Sequence, residues 1–201
     1  MKGRPKEFDR KVALKSAMVT FWKQGFEATS VTDLVEATGV NRGSMYDTFG
    51  SKHDLYLEAL NTYAADATAH LEETLNSTDG SPLENLRSFF DSIAEMLYSG
   101  KICLGCMILN AAVELAPTDP EIASFVKKVS SKQKKLISKT LQQAAIQGEL
   151  SSSSPHDLLA DFAINHLRGL IVSAKSGTSK RKAQENIEFL FNIINSSKIA
   201  A

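Results

Sequence analysis

The stretch Ser30–Lys52, SVTDLVEATGVNRGSMYDTFGSK, leaves the chain little conformational choice. Ser30 followed three residues later by Asp33 is the start of a helix in capping-box form, with an acid placed to accept backbone N–H bonds in the first turn. Val31, Leu34 and Val35 then share one helical face. Gly39 stops that helix, because glycine reaches the left-handed dihedrals of a helix end at little cost. Val40 turns inward and Asn41 is a favourable N-cap for a second helix. Met45 and Phe49, four apart, give that second helix a narrow apolar stripe, while Arg42, Gly43, Ser44, Tyr46, Asp47 and Thr48 are small or polar. A helix this short is not stable alone. It must be held by its neighbours, and the face it leaves outward is its reason to exist. That is the pattern of a helix-turn-helix, over about residues 30–49, whose second helix enters a DNA major groove.

The flanks supply the rest of a small head. Asp9 caps a first helix, with Phe8 before it as a hydrophobic staple. Leu14, Ala17, Met18 and Phe21 form its stripe at i, i+3, i+4, i+7, ending at Gly25. Phe21, Trp22 and Phe26 read as core, since so small a domain has little else to bury. Ser51 and Asp54 repeat the capping pattern and open a longer helix through Leu55, Ala59, Leu60 and Tyr63 to about Leu75. His53, in its first turn, reads as a phosphate contact or as an exposed first-turn residue. Residues 1–7 place Lys2, Arg4 and Lys6 around Gly3 and Pro5; such an arm can reach phosphates or a minor groove, or serve as a solvated tail.

In Phe21-Trp22-x-x-Gly25-Phe26-x-x-Thr29-Ser30-Val31 and Gly39-Val40-x-Arg42-Gly43-Ser44-Met45-Tyr46-x-x-Phe49-x-x-Lys52, the chain resembles the tetracycline-repressor (TetR) family of bacterial transcriptional regulators. The motif words cover about the first 60 residues. The resemblance implies an all-α protein: a three-helix DNA-binding domain over residues 1–54, then a ligand-sensing and dimerising antiparallel bundle over 55–201. It implies that Thr29 and Ser30 bind phosphate by hydroxyl and backbone N–H, and that Arg42 reads a base edge or phosphate. Gly43 would let the backbone approach DNA, Ser44 and Tyr46 would contact base or phosphate, and Lys52 would hold the flanking phosphate, with Lys2 and Arg4 adding contacts from the arm. Asp47 departs from the pattern. Its carboxylate could accept from a cytosine amino group, or turn toward Lys52 or the first helix. The Gly105-Cys106 helix, the Glu114-x-Ala116-Pro117 ending and the Arg4-Pro5 arm further resemble a subgroup that includes electrophile-responsive repressors.

Beyond the head, Asn76–Pro82 (NSTDGSP) is the clearest turn cluster and marks a candidate domain boundary. Pro82 suits the first position of a helix carrying Leu83, Leu86, Phe89, Phe90, Ile93, Met96 and Leu97. Residues 103–115, CLGCMILNAAVEL, are apolar almost all round and read as one interior helix with Asn110 and Glu114 as its polar exceptions. A long helix follows from Ile122 to Gly148, with SSKQKK as its solvated face. The last two helices, Leu158–Ser176 and the stripe Ile187, Leu190, Phe191 and Ile194, mix large and small residues and suit close antiparallel packing. They either close the subunit or, paired across a two-fold axis, form a four-helix dimer interface; the resemblance favours the homodimer. An effector pocket is expected among Phe89, Phe90 and Met96 of one helix, Cys106, Met107, Asn110 and Glu114 of the next, and Phe162 and His166 of a later one.

Charge and chemistry narrow the function. The formal net charge is zero, yet residues 1–53 carry nine Lys/Arg against six Asp/Glu, whereas 61–126 carry two against ten. So weak a basic excess implies modest affinity per head, and a dimer presenting two of them. Cys103 and Cys106 lie near the expected start of a helix, where the dipole lowers a thiol pKa; they are a thiol sensor or two small buried hydrophobes. Without a second CxxC or a clustered histidine they do not form a zinc site, and no metal or cofactor is expected. No phosphate loop, nucleophile elbow or carboxylate pair points to an enzyme. No apolar run spans a bilayer and no signal-peptide core opens the chain, so the cytoplasm is expected.

The reading is a homodimeric repressor that binds a palindromic double-stranded operator, its two heads ~34 Å apart, and is released by a small-molecule effector. One alternative is a repressor switched by a redox or electrophile reaction at Cys106. Another is a helical protein-interaction adaptor that binds no DNA.

Overall fold

A computed structural model of the chain describes residues 8–196, all of whose regular structure is helical. The helices are α1 (Arg10–Gln24), α2 (Val31–Thr38), α3 (Arg42–Phe49), α4 (Lys52–Leu75), α5 (Pro82–Tyr98), α6 (Met107–Glu114), α7 (Pro120–Ile146), α8 (His156–Lys175) and α9 (Lys180–Ser196). The all-α class and the N-terminal helix-turn-helix are as the pattern predicts. No helix among the described residues is long and apolar enough to cross a membrane. The basic arm, with Lys2 and Arg4, lies outside the described residues.

The chain divides into two compact units. The first runs up to Asp66 and takes in Cys106–Val126; the second holds Ala67–Gly105 and the residues from Lys127 onward. This differs from a simple cut after residue 54. The first half of α4, all of α6 and the start of α7 belong with the helix-turn-helix, because three short helices enclose too little apolar surface to close a core among themselves. Asn76–Pro82 is a turn within the second unit, between α4 and α5.

In the first unit Asp9 Oδ1 caps α1, accepting from Lys11 N at 2.8 Å and Val12 N at 3.1 Å. Phe8 packs its ring near that of Phe49, with centroids 6.5 Å apart. Phe21, Leu34, Leu55, Tyr56 and Leu60 are almost wholly buried. Tyr56 stands edge-on to Phe21 and at a steep tilt to Phe26, each at 5.0 Å; of the aromatic residues expected in the core, Phe21 is buried and Trp22 and Phe26 are half-buried.

In the second unit α5 packs on α8 and α9, and α8 on α9. Pro82 stands in the first turn of α5 as the sequence implies, and a capping box that the sequence reading did not include, Ser81 with Glu84, starts the helix. Phe90 is fully buried, edge-on to Phe89 at 6.0 Å and to Phe191 at 5.8 Å. The basic face of α7 is paired as well as solvated: Lys132 bridges to Glu72 at 2.9 Å and Lys134 to Asp161 at 2.6 Å.

Three expectations are corrected. The interior helix does not begin at Cys103. Gly105 takes φ 71°, which breaks helical geometry, so residues 103–106 are irregular and α6 starts at Met107. Nor is α6 buried all round: Met107, Ile108 and Ala111 face inward, but Val113 is 74% exposed. Met96, expected on the apolar stripe of α5, is 47% exposed.

Candidate nucleic-acid interface

The α2–α3 pair is built from local bonds. Ser30 Oγ accepts from Asp33 N at 3.1 Å while Asp33 Oδ2 accepts from Ser30 N at 2.7 Å, closing the box. Gly39 ends α2 in the left-handed region at φ 67°, its N–H donating to Val35 O at 2.9 Å. Asn41 Oδ1 then caps α3 through Ser44 N at 2.9 Å, and Asn41 Nδ2 donates to Ser44 Oγ at 3.0 Å. Met45 and Phe49 are buried beneath α3. Their burial leaves Arg42, Gly43 and Asp47 exposed, with Ser44, Tyr46 and Thr48 half-exposed. The Arg42 guanidinium lies 5.6 Å from the centroid of the Tyr46 ring, so the two polar reach-out groups of α3 support each other.

Around this face the expected residues fare differently. Ser30 is exposed at the start of α2. Lys52 is half-buried, with its ammonium 4.3 Å above the Phe26 ring and not paired to Asp47. Thr29 is 0% exposed, and its hydroxyl donates to Gly25 O at 2.5 Å. Its side chain therefore fastens the α1–α2 turn and does not reach outward to a phosphate. A buried hydroxyl seeks an internal acceptor, and the carbonyl four residues back is within reach.

Two links from later in the chain hold the head. The Glu114 carboxylate, at the end of α6, accepts from Glu27 N at 2.8 Å and Phe26 N at 3.1 Å. His53 Nε2 meets Asp119 Oδ2 at 2.7 Å, and Asp119 Oδ1 caps α7 through Glu121 N and Ile122 N. The Asp119 carboxyl is held below the usual carboxylate range, first by the Ile122 N–H and then by His53. Neither pairing was visible in the sequence, where Glu114 reads as a pocket residue and His53 as a phosphate contact or a bland one. At the other end of α6, burial pushes the Tyr63 phenol well above its ordinary value. The adjacent Cys106 thiol adds to this, while the Met107 N–H that the hydroxyl accepts opposes it. The Tyr63 ring is also edge-on to Trp22 at 4.9 Å.

The expected effector residues fall in both units. Cys106, Met107, Asn110 and Glu114 lie in the first; Phe89, Phe90, Met96, Phe162 and His166 lie in the second. Phe89 and Phe90 are core, Met107 is buried, and Cys103 and Cys106 are free and half-exposed. The His166 ring packs near Phe162 at 6.4 Å. Burial lowers its pKa, opposed by the backbone of Asn186. Among the described residues no three His, Cys, Asp or Glu side chains are gathered as for a metal ion.

Comparison with known proteins gives this geometry its context. Residues 13–59 match the bacterial regulatory proteins, tetR family, and residues 82–190 match the tetracyclin repressor-like C-terminal domain. The chain belongs to the TetR family. It is 34% identical over 184 residues to the HTH-type transcriptional repressor ComR of Escherichia coli (strain K12), covering 92% of this chain and 88% of ComR. It is 31% identical to the uncharacterized HTH-type transcriptional regulator YezE of Bacillus subtilis (strain 168), over 96% of this chain and all of YezE. Among solved structures it is similar to a cysteine mutant of the TetR-family regulator CifR complexed with 26 bp double-strand operator DNA. The TM-score there is 0.85 and the identity 26%, covering 94% of this chain and 98% of that one. As a TetR-family member the protein is a homodimeric, DNA-binding transcriptional regulator, a class that is not enzymatic.

Proposed function

We propose that the protein represses transcription by seating two copies of α3 in successive major grooves of a palindromic operator, and that a small molecule bound by the C-terminal unit releases it. The observation that carries this is the division of α3: Met45 and Phe49 spend its inner side on the core, so that Arg42, Gly43, Ser44 and Tyr46 are free for a duplex. Arg42 reads a base edge or phosphate, and Ser44 and Tyr46 contact base or phosphate beside it. A Cβ on Gly43 would meet only Asn41 Oδ1, at 3.4 Å, so the protein's own packing does not demand glycine there. Close approach of the backbone to DNA does. The Ser30 N-cap, Lys52 and the arm residues Lys2 and Arg4 bind flanking phosphates.

Dimerisation runs through α8 and α9. Leu158, Phe162 and Val172 on α8 and Phe189 on α9 are all exposed on the single chain, at 67%, 41%, 51% and 64%. Apolar groups left outward on the last two helices suit an isologous interface. In this reading the protein acts in the cytoplasm, carries out no reaction of its own and needs no cofactor.

Selecting bound duplexes from a random-sequence pool tests the proposal. It expects an inverted repeat with half-sites about one helical turn apart, lost on Arg42→Ala with Tyr46→Ala. Enrichment of no sequence, or of a single unrepeated half-site, overturns it. A second reading, release by modification of the Cys106 thiol, is supported by its half-exposed position at the start of α6 against the Tyr63 hydroxyl. In that case Cys106→Ser abolishes release by quinones or aldehydes, and unchanged release removes it.

A further inference from the structure

The helix-turn-helix is usually pictured as a self-contained head, but here its fixed points lie far along the chain. Glu114 is 87 residues beyond Glu27 and 88 beyond Phe26, and both N–H groups of that turn end on its carboxylate. These two donors lie in the α1–α2 turn, just ahead of the residues that start α2. Without an acceptor they would be unmade backbone bonds in a part-buried turn. The fit is close. Gly25 stands at φ 87°, and a Cβ there would lie 2.9 Å from Glu114 Oε2 and 3.0 Å from Oε1. The turn is shaped around the carboxylate, with no room left for a side chain between them.

The second fixed point comes five residues later. Asp119 uses one oxygen to cap α7 and the other to meet His53 at 2.7 Å. His53 follows Lys52 directly at the start of α4, where α3 has just ended. Both sides of the α2–α3 pair are thus tied to one short corner, Glu114–Asp119, between α6 and α7. Within the corner Thr118 N donates to Leu115 O at 2.9 Å and Asp119 N to the same carbonyl at 2.8 Å, so the two carboxylates are held at a set separation. Leu115 is buried beneath it.

We propose that Glu114 and Asp119 are positioning residues of operator recognition, a two-point clamp by which the α6–α7 corner sets the direction in which α3 is presented. The inference rests on the operator-binding reading above. Neither residue touches DNA. Their effect is on where the two α3 helices of a dimer can stand, and hence on which half-site spacing they accept. Because α6 and α7 are the segments that lead out of this corner, a shift in either one is passed to the head through named bonds and not through general stiffness.

The test uses the full-length dimer and the operator selected from the random pool, together with duplexes whose half-sites are moved apart or together by two base pairs. Wild type should discriminate strongly against the shifted duplexes. In Glu114→Ala the affinity ratio between selected and shifted spacing should fall by about fivefold or more, the lower end of typical coupling between sites. The slope of log affinity against log salt should stay the same, because no phosphate contact is removed. Loss of folded protein alone would scale every duplex equally and leave the ratio untouched. Glu114→Gln, which keeps one accepting oxygen, should fall between, and it serves if the alanine variant fails to fold. His53→Ala should reduce the ratio from the other anchor. A spacing ratio unchanged in Glu114→Gln and His53→Ala, with wild type binding normally, overturns the clamp alone. Failure of wild type to bind any selected duplex overturns the operator reading and the clamp with it.

Discussion

Replacing Gly25 by alanine asks the most of the structure, because two separable costs meet at one atom. The first is conformational. Gly25 has φ 87° and ψ 175°, a region that residues with a Cβ scarcely enter, and forcing alanine into it costs about 1–3 kcal/mol. The second is steric and electrostatic. The new methyl would sit 2.9 Å from Glu114 Oε2, so the carboxylate must withdraw and release Phe26 N and Glu27 N. Charge-assisted bonds of this kind contribute about 1.5–3 kcal/mol each when well shielded, and Glu114 is half-exposed, so about 1–2 kcal/mol for the pair is the reasonable share. Gly25→Ala should therefore destabilise the first unit by about 2–5 kcal/mol. The assay is urea unfolding followed by the fluorescence of Trp22, the one tryptophan, which lies in α1 against Tyr63 and so reports on this unit. Made in a Glu114→Ala background, the same change should cost only the backbone share, leaving a coupling of about 1–2 kcal/mol in the double-mutant cycle. A total loss under about 0.5 kcal/mol, the range of an ordinary surface substitution, would refute the backbone reasoning. Strict additivity with Glu114→Ala would refute the contact.

Phe49→Ala should remove a buried ring from beneath α3 and cost about 3–5 kcal/mol, read by the same unfolding assay; a loss near zero would mean that α3 is not seated by this residue. Thr29→Val should destabilise by about 1 kcal/mol through loss of the bond to Gly25 O while leaving the operator affinity of the folded protein unchanged, whereas a loss of affinity uniform across duplex sequences would restore a phosphate to Thr29. Acid should weaken the first unit in a defined direction. Asp33 is held low by the Ser30 side chain first, Asp54 by the Ser51 backbone N–H first, and Asp119 by the Ile122 N–H first. Each folded pKa lies below the unfolded value of 3.8, so the stability they contribute is complete above that pH and is lost as pH falls through the lowered folded values. Thermal melts should therefore be flat with respect to these groups above about pH 5 and drop below 3.8, and Asp33→Asn should blunt the drop; a melt insensitive to acid would contradict the three pairings.

What the sequence by itself determined is the set of structures closed by residues three or four apart. The boxes at Ser30 and Asp33 and at Ser51 and Asp54, the Asn41 cap, the left-handed Gly39 and the buried pair Met45 and Phe49 all stand where their spacing put them. Each depends on backbone geometry that repeats in every helix, so the residue types alone announce it. The tertiary structure decided what those local pieces meet. The sequence does not say that Glu114 turns to the α1–α2 turn, that Asp119 finds His53, or that Thr29 spends its hydroxyl inward on Gly25. Thr29 has the local spacing of a self-contained bond but also that of an exposed cap neighbour, and only its complete burial chose between them. Glu114 is equally ambiguous along α6, where a lone acid on an apolar helix signals some buried partner without naming it. The partner lies 87 residues away. Periodicity tells which side of a helix is turned inward, and the folded chain alone tells what is waiting there.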